Sequence, residues 1–264
     1  MDTASGAPIL ASTVLLLRDA LLGPEVFLLR RPASSSFAPR AFVFPGGAVD
    51  SDDGLLPLAD FAPSFDVAAA AAGMNLGGDD GERACAAYHI AGVREVFEES
   101  GVLIGSHSDG SPLGTADTER LRTARHDMLN GASLTSVLRR DSLQLAPERL
   151  VYSARFVTPA SESKRFDARF FAVLVDLEQE ASHHSGEATE GGWFPTADVV
   201  DSTSEFRFMM PPTRIMCRRI AGSPSAAAAL QTLGDDPIDA SDFTVEQAVR
   251  WAFADLALSA EEST

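Results

Sequence analysis

Two cysteines, Cys85 and Cys217, are the only thiols in 264 residues. They are too few for a disulfide framework or a thiolate metal cage, so both read as reduced core residues. Long hydrophobic runs are also missing. No stretch of about 18 apolar residues exists, which argues against a membrane-spanning helix. The short apolar segment over residues 9–17 has no basic stretch ahead of it, unlike a signal peptide. The C-terminal Glu-Glu-Ser-Thr carries no recognisable address, and the expectation is a cytoplasmic protein without a membrane partner. Positive charge is scarce: 21 Lys and Arg stand against 38 Asp and Glu, for a formal net charge of −17. Nucleic acid and anionic lipid would be repelled by that field. An anionic small molecule would need local help, and a bound cation supplies it in concentrated form.

What is present is an ordinary globular balance, 45% hydrophobic and 22% charged, enough for a sizeable core. The pattern is read as a single α/β domain over residues 1–264. Apolar runs at 12–17 and 25–29 predict a hairpin with a wide turn between them. Residues 41–44 predict a third short strand, stopped by Pro45-Gly46-Gly47, the sharpest turn signal in the chain. Residues 50–81 read as an insertion whose alanine-rich part, 67–72, forms a short helix. Helix propensity then runs from Glu82 through Glu99, with Gly101 placed as a left-handed C-cap. A helical elaboration is expected over about 115–148, strands at 150–157 and 170–177, and a loop over 183–192 leading to Trp193-Phe194. C-terminal helices are expected over about 212–258.

The chemistry concentrates at residues 94–101, Arg-Glu-Val-Phe-Glu-Glu-Ser-Gly. On a helix, Glu95, Glu98 and Glu99 stand at i, i+3 and i+4, so three carboxylates share one face. Their mutual repulsion invites a positive partner, and hard oxygen ligands of this kind suit Mg²⁺ or Mn²⁺. Arg94 lies four residues before Glu98 and is placed to orient it. Glutamates on a helix are usually just a solvated face. The full pattern of Arg-Glu, apolar, any, Glu-Glu, any, Gly, apolar, however, should arise by chance in only about one chain in 10⁵ of this length.

These residues match the second half of the box that marks Nudix hydrolases, and Phe44-Pro45-Gly46-Gly47 resembles its entry. The resemblance implies an α/β/α sandwich with a mixed sheet, in which the glycine turn and the helix frame a metal site. It also implies attack of water on a nucleoside diphosphate linked to another moiety. In the family pattern a glutamate follows the glycine turn, eight positions before the arginine. That place is Ala86 here, and Glu82, one helical turn back, is the candidate substitute. The two halves of the box are separated by some 46 residues.

The insertion, the segments 41–47, 90–103, 164–171 and 190–194, and Met210-Pro211-Pro212-Thr213 together resemble the branch that includes the peroxisomal coenzyme A and acyl-coenzyme A diphosphatases. Leu28-Leu29-Arg30-Arg31 fits the start of an extended coenzyme A motif, although Ser36 and Arg40 stand where a basic residue and a glycine are the pattern. Arg30, Arg31, Arg40, Lys164 and Arg165 are candidates for gripping phosphates through bidentate forks and point charge. Phe166 is a candidate to enclose a base, whereas Phe170 reads as core. Candidates for the general base are Glu187 and Glu190, or Glu98 or Glu99 acting through a cation-activated water. His183 and His184 read as exposed bystanders. The expected activity is hydrolysis of coenzyme A or acyl-coenzyme A. The alternatives are ADP-ribose, NADH or a nucleotide as substrate, or a nucleotide-binding module without catalysis. A homodimer is expected on base rates.

Overall fold

The structure, a computed structural model, describes residues 7–35, 38–176, 179, 181–182, 190–201, 205–242, 244 and 246–247. Its centre is a mixed sheet built on β1 (Ile9–Ala20), which runs parallel to β8 (Phe166–Leu174) along one edge. On its other edge β1 pairs antiparallel with two strands in turn. Its carboxyl half meets β2 (Gly23–Arg30), and its amino half meets the three-residue β4 (Gly46–Ala48). Between them β3 (Phe42–Val43) pairs with the far end of β2, and Val14 N–H donates to the Pro45 carbonyl at 2.9 Å. The Phe44-Pro45-Gly46-Gly47 segment thus sits in the fork where β1 and β2 diverge. Strand β9 (Glu190–Pro195) covers the outer edge of β2, and β7 (Val151–Val157) lies antiparallel beyond β8.

The central strands are apolar on both faces because both faces are covered. Val14 and Leu16, Phe27 and Leu29, and Phe171 and Val173 enter one core layer. Their neighbours Leu15 and Leu17, Val26 and Leu28, and Phe170 and Ala172 enter the other. The first layer is closed by α3 (Gly78–Ser100) together with α4 (Thr118–Leu129) and α5 (Leu134–Arg140). The second is closed by α6 (Pro211–Ile220) and α7 (Ala226–Asp235). This is the expected α/β/α sandwich. Gly92 lets α3 approach β1 closely: a Cβ there would stand 2.9 Å from Ser12 Oγ and 3.1 Å from Val14 Cγ2.

The insertion is folded. Asp66 caps the alanine-rich α2 (Val67–Gly73) by accepting from Ala69 N–H at 3.0 Å, and α1 (Leu58–Phe61) precedes it. Leu56, Phe61, Ala71 and Met74 are buried in the layer that α3 closes, so the segment is a helical cover for that helix. A small ribbon of β5 (Gly105–His107) and β6 (Leu143–Leu145) ties the 115–141 elaboration down.

Four expectations change. The first hairpin has a two-residue turn, Leu21-Leu22, because Ala20 pairs with Gly23; the strands continue through the charged residues that read as loop. Strand β8 begins at Phe166, four residues before the apolar run, since Asp167 and Arg169 are paired in the ladder. It ends at Leu174, and Leu177 lies outside the described residues. Gly191 and Gly192, expected in a loop, pair with Leu29 and Leu28. The C-terminal region is not wholly helical: after α7, β10 (Ile238–Ala240) adds to the sheet parallel to β7.

Candidate active site

The last two turns of α3 bring Glu95, Glu98 and Glu99 against the glycine turn in the fork. Gly46 N–H donates to Glu99 Oε2 at 2.8 Å, which latches the turn to the helix. Gly47 lies against Glu95, and a Cβ at that position would stand 2.6 Å from Glu95 Cδ. A Cβ at Gly46 would instead collide with the Ser12 carbonyl and lie 2.7 Å from Thr13 Cα. Both glycines are therefore required by close approach, one to backbone and one to a carboxylate. Gly101 ends the helix in the left-handed region, at φ 78°, and its N–H donates to the Phe97 carbonyl at 2.9 Å.

Arg94 is the hub of the site. Its Nη1 donates to Glu95 Oε1 at 2.8 Å and to Glu98 Oε2 at 3.2 Å, and its Nη2 donates to the Ala48 carbonyl at 3.0 Å. Its other edge forms a two-pronged pair with buried Asp53, Nε to Oδ1 and Nη2 to Oδ2, both at 2.9 Å. Burial alone would lower the guanidinium pKa, but the Asp53 hydrogen bond and the charges of Glu95, Asp53 and Glu98 outweigh it and raise it. Arg94 is a fixed cation.

Asp53 was not legible by counting back from the arginine, which leads to Ala86. Ala86 is a buried alanine of α3, and Glu82 lies twelve residues before Arg94, about 18 Å along the helix axis. The acid that Arg94 engages stands six residues after Gly47. Counting forward from the glycine turn finds it, and it moves the start of the insertion from residue 50 to just beyond Asp53. Asp53 also accepts from Asp50 N–H at 2.8 Å, which closes the 3-10 turn Asp53–Leu55 onto β4.

The donor chemistry of this turn fits a hard dication, since three glutamates from one helix face supply carboxylate oxygens beside a glycine cradle. Their present directions differ from the convergence expected from spacing. Glu95 and Glu98 share Arg94 Nη1, and Glu99 faces the Gly46 amide. Among the described residues no three acidic, His or Cys side chains surround one metal-sized position.

The other candidates divide. Arg30 pairs with Glu190 at 3.3 Å across β2 and β9 and lies over the Phe42 ring, on the sheet face that carries α6 and α7. Arg31 holds Ser35 through Nε and Nη2 at 3.2 and 2.8 Å, and exposed Arg40 lies at the end of the same β2–β3 loop. Arg165 Nε donates to the Thr158 carbonyl at 2.9 Å. Phe166 pairs with Ile9 and, by alternation, shares the face of Phe170 rather than that of α3. All flank the end of the sheet where the glycine turn sits, but only Gly46, Gly47, Arg94, Glu95, Glu98, Glu99 and Gly101 are brought together. Ser36, His183, His184 and Glu187 lie outside the described residues. Both cysteines are buried, and burial pushes each thiol up to about 12.

A mixed sheet between helical layers, with a glycine turn clamped to the acidic end of a long helix, is the combination that defines Nudix hydrolases. The crystal structure of a Nudix hydrolase from Alicyclobacillus acidocaldarius superposes with a TM-score of 0.69 at 25% identity, covering 89% of this chain and 100% of that one. The chain belongs to the NUDT19 Nudix domain family, whose pattern matches residues 7–220. It is 28% identical over 191 residues to a Caenorhabditis elegans protein that carries the name nudix hydrolase 7, covering 72% of this chain and 53% of that protein. It is 26% identical over 223 residues to the acyl-coenzyme A diphosphatase NUDT19 of Xenopus laevis, covering 71% and 57% respectively. The chain thus spans little more than half the length of these curated relatives. No helix among the described residues is long and apolar enough to cross a membrane.

Proposed function

We propose that the chain hydrolyses the diphosphate linkage of a nucleoside diphosphate derivative, with Mg²⁺ or Mn²⁺, and that the substrate is coenzyme A or an acyl-coenzyme A. The observation that carries the reading is the turn of three glutamates seated on the Gly46-Gly47 cradle, with Arg94 locked behind it by Asp53. The Xenopus relative's name supports the substrate class. A divalent cation held by Glu95, Glu98 and Glu99 would supply positive charge to the diphosphate oxygens and to the leaving phosphate.

The protein's own groups do the rest. Arg94 fixes the directions of Glu95 and Glu98, and Glu99 holds the glycine turn in place. Glu98, more exposed than Glu95 at 22% against 14%, is assigned the proton of the attacking water. Water adds across one P–O–P bridge, the bridging bond breaks, and two phosphate monoesters leave. Arg30, Arg31, Arg40 and Arg165 are assigned to the phosphates outside the bond that breaks, and Phe166 to the base. Glu190, engaged by Arg30, is the second candidate base.

The test is incubation with Mg²⁺ or Mn²⁺ and, separately, coenzyme A, acyl-coenzyme A, ADP-ribose, NADH and nucleoside triphosphates, with products weighed by mass spectrometry. Release of 3′,5′-ADP and a phosphopantetheine is the expected result. Turnover of ADP-ribose or NADH alone would move the substrate, and no turnover of any would favour a binding module. Glu98→Gln should cut the rate by about 10²-fold or more with the fold intact, because a neutral amide is neither base nor good ligand.

A further inference from the structure

The four carbonyls at the end of an α-helix have no partner within the helix. In α3 those carbonyls belong to Phe97, Glu98, Glu99 and Ser100, the turn that carries two of the three glutamates. The Phe97 carbonyl accepts from Gly101 N–H at 2.9 Å, and the Ser100 carbonyl accepts from Ser182 N–H at 2.8 Å. The two between them, Glu98 and Glu99, both accept from one side chain of another helix. Arg125 of α4 donates Nε to the Glu98 carbonyl at 2.8 Å and Nη2 to the Glu99 carbonyl at 2.7 Å. Its Nη1 donates to Ser182 Oγ at 3.2 Å, which ties the same fork to the segment after β8. Leu121, Ala124 and Met128 of α4 are buried in the layer shared with α3, so the helix that delivers the guanidinium is itself held in place.

We infer that Arg125 is a positioning residue for the cation site, acting through the backbone of Glu98 and Glu99, and that the 115–141 elaboration is thereby part of the active site. The inference rests on the proposed metal-dependent function. A guanidinium is required because two carbonyls one residue apart need a planar fork; an ammonium reaches one of them. Gly101 makes room for it, since a Cβ there would stand 3.1 Å from Arg125 Nη1.

Charge and geometry make opposite demands here, which makes the inference testable. Arg125 places a positive charge beside the carboxylates, so electrostatics alone would have its removal tighten cation binding. Positioning has its removal loosen it. The experiment titrates Mn²⁺ into the metal-free full chain by electron paramagnetic resonance for wild type, Arg125→Met, Arg125→Lys and Glu98→Gln. Amide hydrogen exchange over residues 98–104 and thermal melting are followed in parallel. The expected result is an Mn²⁺ Kd raised about tenfold in Arg125→Met, in the range usual for groups that orient metal ligands. Arg125→Lys should be weakened by less, and both should exchange faster at the end of α3. Should Arg125→Met fail to fold, Arg125→Lys decides alone, because it keeps the charge and loses the fork. Unchanged or tighter Mn²⁺ binding in a folded variant would overturn the inference while leaving the metal reading intact. Wild type that binds no Mn²⁺ would overturn the metal reading and this inference with it.

Discussion

Gly46 and Gly47 are neighbours that the structure uses for different purposes, and substitution should separate them. A methyl group at Gly46 meets the backbone of Ser12 and Thr13, which cannot move without shifting β1. Gly46→Ala should therefore lower stability by about 2 kcal/mol, the usual size for overpacking. The atoms nearest a methyl at Gly47 all belong to the flexible end of Glu95. Gly47→Ala should melt within a few degrees of wild type yet lose activity and Mn²⁺ affinity, because the carboxylate is pushed aside. Equal melting temperatures for the two variants would contradict this division. Asp53 makes a third case. Removing it leaves the half-buried Arg94 with its Nε edge unanswered, and Asp53→Ala should lose about 3 kcal/mol in urea denaturation. An unchanged midpoint would remove Asp53 from the framework of the site. The glutamates and glycines were legible because their spacing is rare. Asp53 was hidden because the insertion breaks the count from one side only, and Arg125 because nothing in a sequence says which distant arginine meets a helix end.

Among the elements, α3 was the most legible and β8 the least. The helix announces itself by a run of good formers closed by Gly101, and its long apolar side follows from that. In β8 the apolar run starts at Phe170, and Asp167 and Arg169 before it look like loop residues. They are strand residues whose charges are met across the ladder and by α3. Arg155 forks to Asp167 at 3.0 and 2.7 Å, and Arg169 reaches Tyr152 Oη at 3.0 Å. The first hairpin departs from the expected wide turn for a related reason: Leu21 and Leu22, almost fully exposed, carry none of the usual turn chemistry. What α3 buries also sets a pH dependence. His89 lies between the rings of Phe65 and Phe171, at 4.8 and 4.6 Å, with Nδ1 2.8 Å from the Cys85 carbonyl. Burial, opposed only in part by that hydrogen bond, holds its pKa down to about 4. The unfolded chain takes up the proton near 6.5 while the folded chain refuses it until about 4, so His89 contributes stability above pH 6.5 that is lost as pH falls between those values. The loss is at most about 3 kcal/mol. Denaturation midpoints of wild type and His89→Phe, measured from pH 7 to 4, should show the smaller slope in the variant; parallel curves would assign the slope to the carboxylates instead.

At the scale of the whole molecule, a charge of −17 surrounds a site assigned to an anionic substrate and a cation. The sequence made this conflict visible but not its resolution, which depends on where the arginines lie. Arg30, Arg31 and Arg40 gather where β2 passes into β3, and Arg165 lies just before β8, so four arginines flank the end of the sheet that holds the glycine turn. Substrate approaching from a distance feels the net field, which extends about 30 Å at 0.01 M salt and about 8 Å at 0.15 M. It feels the arginines only near contact. Raising NaCl across that range, with Mg²⁺ kept saturating, should therefore raise kcat/KM for an anionic substrate by screening the repulsion. The same salt should weaken Mn²⁺ binding, because the field that repels the substrate attracts the cation. The two dependences have opposite signs only if the net charge governs approach. A kcat/KM that falls with salt alongside Mn²⁺ affinity would show that the local arginines control the encounter, and would make neutralising them the more damaging change.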